Sequence, residues 1–220
     1  DNPIKKKERD KRSQVITYLN AAEAATYGLD KNIYSYKENT VPVGACKDTV
    51  EVIQRIDEAI HKKSHLSEID VLNGDGRRYV YGIPAYNVEQ KDITFSVNKE
   101  NNTANIDSGL VVYEAGSDNS VGNTKGKESY YNEEKIPAYA HSFLLSGILS
   151  PDYVDIKEDG ITEDDLGDAV KFNYTRLYGP QQGYFDWRTP GTKDKANYNE
   201  GFKTYSRDDK GSVLYGKKEV

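Results

Sequence analysis

Tyrosine is the feature that most constrains this chain: 18 of its 220 residues are Tyr, against five Phe, one Trp and no Met. A tyrosine buries a large ring and keeps its hydroxyl in water, so it can cover a half-wet sheet face where leucine would be a liability. Disordered chains are poor in aromatics. The sequence is polar, 36% hydrophobic against 30% charged, yet its tyrosines argue for packed, half-wetted sheets. A chain of 220 residues can form one large domain or two small ones.

Local signals agree with a β fold. Asn73-Gly74-Asp75-Gly76 stands between Leu66, Ile69, Val71 and Leu72 on one side and Arg77 to Ile83 on the other. Gly and Asx supply the positive φ angles of a tight return, and the flanks suit strands, so this predicts a hairpin. Further strands are expected at Val50–Ile56, Ile93–Val97, Leu110–Tyr113, Tyr139–Leu149, Lys171–Tyr178 and Ser212–Gly216. One short helix is expected after Asn20, whose side chain can cap the first turn. Glu23 can reach back to the cap amide, and Gly28 supplies the left-handed stop. Residues 98–108 and 115–135 read as surface loops.

The net charge of −6 argues against non-specific nucleic-acid binding, which needs a basic surface. The basic run of Lys5, Lys6, Lys7, Arg9, Lys11 and Arg12 is interrupted by Glu8 and Asp10 and reads as a solvated arm over residues 1–14. No apolar stretch approaches the roughly 20 residues of a membrane-spanning helix. Cys46 is the one cysteine, so no internal disulfide can form.

The strongest site motif runs from Asp152 to Asp165. A calcium loop sets carboxylates on alternate residues and a glycine at the sharp bend. Asp155, Asp159, Gly160 and Glu163 fall at first, fifth, sixth and ninth positions, which resembles the Asp-rich loops of dockerins and extracellular β-propeller repeats. Lys157 stands at the third position and Leu166 at the twelfth, where such loops carry oxygen ligands; Asp164 or Asp165 could substitute. The competing reading is an acidic turn that caps the next element through Thr162 and Asp165. A second candidate is Tyr184, Phe185, Trp187 and Arg188. Exposed, these would stack on a sugar ring or anchor a protein partner; packed inward, they are core. His61 and His65 have the spacing of two helical metal ligands, but two lysines stand between them.

Catalytic signatures are sparse. There is no Gly-x-Ser-x-Gly elbow and no phosphate-binding glycine loop. With 36 acidic residues, a two-carboxylate glycosidase stays open.

Several stretches together resemble a segment of very large secreted or cell-surface proteins of Bacteroidetes, with a Rhs-like, tyrosine-rich β character. They are Tyr18 to Ala24 with Tyr27 to Lys31, Asp75 to Asn87, Leu149 to Asp155, Asp164 to Tyr174, and Tyr198 to Gly201. The resemblance covers most of the chain from residue 17 and departs at Lys157-Glu158. It implies a place outside the cytoplasm, extracellular or at the cell surface, with other segments of the same large protein as partners.

The expected fold is therefore mainly β with minor α, its antiparallel strands sandwich-like with long surface loops. Residues 15–220 form one β-rich domain, or two subdomains divided near 115–136. The expected function is a non-catalytic structural or binding module, calcium-stabilised if the 155–165 loop holds an ion. Two alternatives are a carbohydrate-binding or glycan-processing module and a part of a Rhs-type toxin shell.

Overall fold

The structure, a computed structural model, describes residues 14–29, 34–37, 49–52, 55–57, 59–98, 106–158, 160–174, 176–180, 183–201 and 207–220. The fold is mainly antiparallel β, sandwich-like in class, with one short helix. The chain forms two compact units, residues 1–85 with 140–176 and residues 86–139 with 177–220. The segment 115–136 falls wholly inside the second unit, and the crossings lie instead near residues 85, 139 and 176. Residues 1–13 of the expected arm and Cys46 lie outside the described residues.

The first unit holds a five-stranded antiparallel sheet. Its strands are β1 (Gln14–Asn20), β4 (Leu66–Asn73), β5 (Arg78–Tyr81), β10 (Gly147–Leu149) and β11 (Ala169–Lys171), in that spatial order. A separate hairpin pairs β2 (Tyr34–Lys37) with β3 (Thr49–Val52). The predicted hairpin is β4–β5. Gly76, at φ 85°, donates its N–H to the Asn73 carbonyl at 3.0 Å, as the turn chemistry requires.

Helix α1 (Ala21–Thr26) carries the expected capping box, with Glu23 N donating to Asn20 Oδ1 and Asn20 N to Glu23 Oε2, both at 2.9 Å. The helix is too short to stand alone. It docks by burying Ala21 and Ala24, and its first amides donate to the carbonyls of His65 and Lys63 at 2.8 and 3.1 Å. The sequence gives no warning of β1. Its seven residues precede the helix directly and pair with β4 from Gln14 opposite Asn73 to Asn20 opposite Leu66.

The second unit is organised on two long strands, β6 (Ile83–Ser96), which enters it at Tyr86, and β14 (Lys210–Lys218). Around them stand β7 (Leu110–Val112), β8 (Tyr131–Ile136), β12 (Phe185–Thr189) and β13 (Lys195–Asn199). Strand β9 (Tyr139–Leu144), which past Tyr139 belongs to the first unit, pairs with β6. The period of two puts Ile93, Phe95 and Val97 on one face with Val213. Val111, Tyr113 and Ala196 complete one buried cluster. Phe95 and Tyr113 lie 5.0 Å apart at 46°. Gly211 makes room for them, since a Cβ there would meet the Phe95 ring at 3.1 Å.

Among the described residues no helix is long and apolar enough to cross a membrane.

Candidate functional site

A cavity of about 180 Å³ lies against one face of the first unit's sheet. The register builds it. Asp70 stands opposite Val80, Val80 opposite Gly147, and Gly147 opposite Lys171, so one row crosses four strands. Glu68, Arg78 and Leu149 share this face because strand side chains alternate. Leu29 and Arg55 wall the cavity, together with Tyr153, Asp155, Gly160 and Ile161 of the loop after β10. Gly147 lets Ile161 pack down on the sheet, since a Cβ there would meet Ile161 Cδ1 at 2.8 Å.

Two charges on the wall are neutralised. The Arg55 guanidinium meets Glu68 Oε2 at 2.5 Å, with both side chains almost wholly buried. Arg55 also donates to Ser67 O at 3.0 Å, Ser67 Oγ at 3.1 Å and Leu29 O at 3.3 Å. This geometry satisfies a buried ion pair that would otherwise be costly. Lys171 Nζ donates to Ile161 O at 3.0 Å and ties the covering loop to the sheet.

Asp70 differs. Its Oδ1 is buried and has no hydrogen-bond partner among the described residues. Burial, and secondarily the Glu68 carboxylate, pushes its pKa up to about 6; Arg78 and Arg55 pull the other way. Arg78 is exposed at the mouth, on the same face and diagonal to Asp70. The cavity therefore presents an unsatisfied buried carboxylate oxygen and a guanidinium among aliphatic side chains.

The 155–165 loop closes on itself. Val154 and Leu166 bridge through backbone hydrogen bonds of 3.0 and 3.1 Å. Asp165 accepts from Tyr153 Oη and Thr162 N at 2.8 Å and from Ile156 N at 3.3 Å. The Thr162 amide does most to hold the Asp165 pKa below the usual range. Asp155 accepts from Gly160 N at 2.9 Å, and Gly160 takes φ 90° at the bend. Lys157 Nζ sits 2.5 Å from Asp164 Oδ2, and Thr162 Oγ1 donates to Asp164 Oδ1 at 2.6 Å. Glu163 is exposed, and Asp159 lies outside the described residues. No group of three or more His, Cys, Asp or Glu able to hold a metal stands among the described residues.

The aromatic cluster belongs to the second unit. Trp187 is half-buried over Gly216, whose added Cβ would meet its ring at 2.9 Å, and its Nε1 donates to Asn87 Oδ1 at 3.3 Å. Arg188 donates to Pro190 O at 2.7 Å, Lys195 O at 2.8 Å, Tyr113 Oη at 2.7 Å and Thr192 O. It clamps the β12–β13 turn to the core. Tyr184 is half-buried; Phe185 is exposed, edge-on to Tyr178 at 5.4 Å and under Lys218.

Sequence reasoning missed the cavity. Its one local signal is the pair of acids at alternate positions, Glu68 and Asp70, inside a strand that also carries Leu66, Ile69, Val71 and Leu72. No family model matches this chain, and neither a curated protein nor a solved structure matches it.

Proposed function

We propose that this chain is a non-catalytic binding module of a larger extracellular or cell-surface protein, with the first unit's cavity as its binding site. The observation that carries this reading is Asp70. A buried carboxylate oxygen without a partner is costly unless a ligand satisfies it. Of the other two carboxylates on the cavity wall, Glu68 is locked to Arg55 and Asp155 accepts from the Gly160 amide, which leaves Asp70 as the one that calls for a ligand. The sequence resemblance supports the extracytoplasmic place.

Membership of a larger architecture has separate support in β1. It has no second strand neighbour among the described residues, and Val15, Ile16 and Tyr18 are each about half exposed. Such an edge suits pairing with an adjoining segment of the same protein.

A thermal-shift screen of amino acids, monosaccharides and small organic acids tests the binding reading. At least one class raises the Tm, and NMR shows that ligand unchanged after prolonged incubation. Turnover of the ligand would overturn the non-catalytic reading. A Tm that no class moves would overturn the cavity as a binding site.

A further inference from the structure

We propose that the cavity takes a free α-amino acid with a small aliphatic side chain, its ammonium on Asp70 and its carboxylate on Arg78. This rests on the reading of the cavity as a binding site and names its ligand.

The argument begins with the register. Asp70 faces Val80 and Arg78 faces Leu72, so Asp70 and Arg78 are diagonal neighbours on one face. Diagonal positions lie roughly 7–8 Å apart. Opposite charges at that spacing can close into an ion pair through the long arginine side chain. Among the described residues these two do not, while Arg55 and Glu68 close to 2.5 Å beside them. Asp70 Oδ1 is left buried without a donor. The two charges are held apart on either side of open space, which suits a ligand carrying both opposite charges a few bonds apart. Charge-assisted hydrogen bonds of about 2.8 Å at each end would join them.

The other walls select the rest of the ligand. Arg55 is paired with Glu68, and Lys171 is turned to the Ile161 carbonyl, which ties it to the covering loop. Leu29, Val80, Leu149 and Ile161 supply carbon surface. A sugar would turn several hydroxyls toward that surface and lose their hydrogen bonds to water. An aliphatic side chain gains from the same contact. The volume of about 180 Å³ leaves room for a side chain of the size of valine or leucine.

Calorimetric titration of the full chain with L-leucine and L-valine tests the proposal. Both bind. N-acetyl-leucine, which lacks the ammonium, and leucinamide, which lacks the carboxylate, bind at least ten-fold more weakly. Asp70→Asn and Arg78→Met each weaken leucine at least ten-fold, and Gly147→Leu, which would push Ile161 off the floor and into the cavity, abolishes binding; circular dichroism confirms that each variant folds. Equal affinity for leucine and N-acetyl-leucine would overturn the proposal, as would leucine binding that survives both charge variants. Binding of a monosaccharide but of no amino acid would overturn this ligand and leave the binding module standing. Binding of neither would overturn both.

Discussion

The second unit gathers Ile93, Phe95, Val97, Val111, Tyr113, Ala196 and Val213 into one apolar cluster. The first unit places two arginines, three carboxylates and a lysine on the walls of a cavity over its sheet. Its apolar burial is scattered among Ala21 and Ala24 under the helix, Leu149, and Ile83 with Leu144 and Tyr174. One polar composition thus yields two kinds of interior. The first is stabilised by burying hydrocarbon, the second by satisfying charges. The unsatisfied Asp70 oxygen belongs to the second kind of interior and lines its cavity, which is why the candidate site is assigned there.

The largest expected effect tests the apolar side of that contrast. Phe95 is fully buried against Tyr113. Phe95→Ala removes its transfer energy and leaves a cavity, and should cost about 3–5 kcal/mol in urea unfolding. A loss below about 1 kcal/mol would show that this cluster is not the unit's core.

The next effect is slightly smaller and opposite in logic. Glu68→Ala leaves the buried Arg55 uncompensated and should cost about 3 kcal/mol. Replacing both partners, Arg55→Met with Glu68→Leu, should recover most of that loss, because the pair's attraction largely offsets its own desolvation. No double replacement could rescue Phe95→Ala in this way. Additive losses at Arg55 and Glu68 would erase the distinction between the two interiors.

How much of this is legible in sequence follows from the range of each signal. The capping box of Asn20 and Glu23 and the turn at Asn73–Gly76 are written within four residues, and both form as expected. The last strand was visible in Ser212–Gly216 and extends to Lys210–Lys218 because β6 pairs along its whole length. Strand β1 was not legible. Its seven residues are fixed by β4, more than 40 residues away. The cavity is less legible still, because Arg55, Asp70, Gly147 and Lys171 become neighbours only through the sheet register and the loop above it. Tyr184 to Arg188 stood out as a local cluster, yet Trp187 and Arg188 pack and clamp within the second unit. Local conspicuousness marked a structural feature, and dispersed residues built the site.

Asp70 gives a smaller effect with a distinctive pH dependence. Its pKa is raised from 3.8 to about 6 in the folded chain. Between these values the folded state holds the proton more tightly than the unfolded state does. Stability from this group is therefore fully present below about pH 4 and is lost as pH rises through about 6. Asp70→Asn should remove that slope. The variant should be about 1 kcal/mol more stable than the parent at pH 7, after allowance for solvent screening, and no more stable at pH 4. A variant less stable at pH 7 would mean that Asp70 is satisfied in the folded chain, and the case for a ligand would fail with it.

The smallest expected effect concerns the loop that covers the cavity. Its carboxylates behave as caps: Asp165 serves two amides and a hydroxyl, Asp155 serves Gly160 N, and Lys157 neutralises Asp164. Asp165→Ala should then lower the Tm slightly, and equally in calcium and in EGTA. A calcium loop predicts otherwise. With a dissociation constant of about 10 μM, 1 mM calcium would add roughly 2.7 kcal/mol, a rise of about 5–10 °C for a domain of this size. Asp165→Ala would abolish that rise. Thermal unfolding of the parent and the variant, each with and without calcium, separates the two. Parallel losses leave the loop as a self-capped cover held by Lys171. A calcium-dependent rise confined to the parent would make the cover of the cavity metal-dependent, and ligand binding beneath it should then respond to calcium as well.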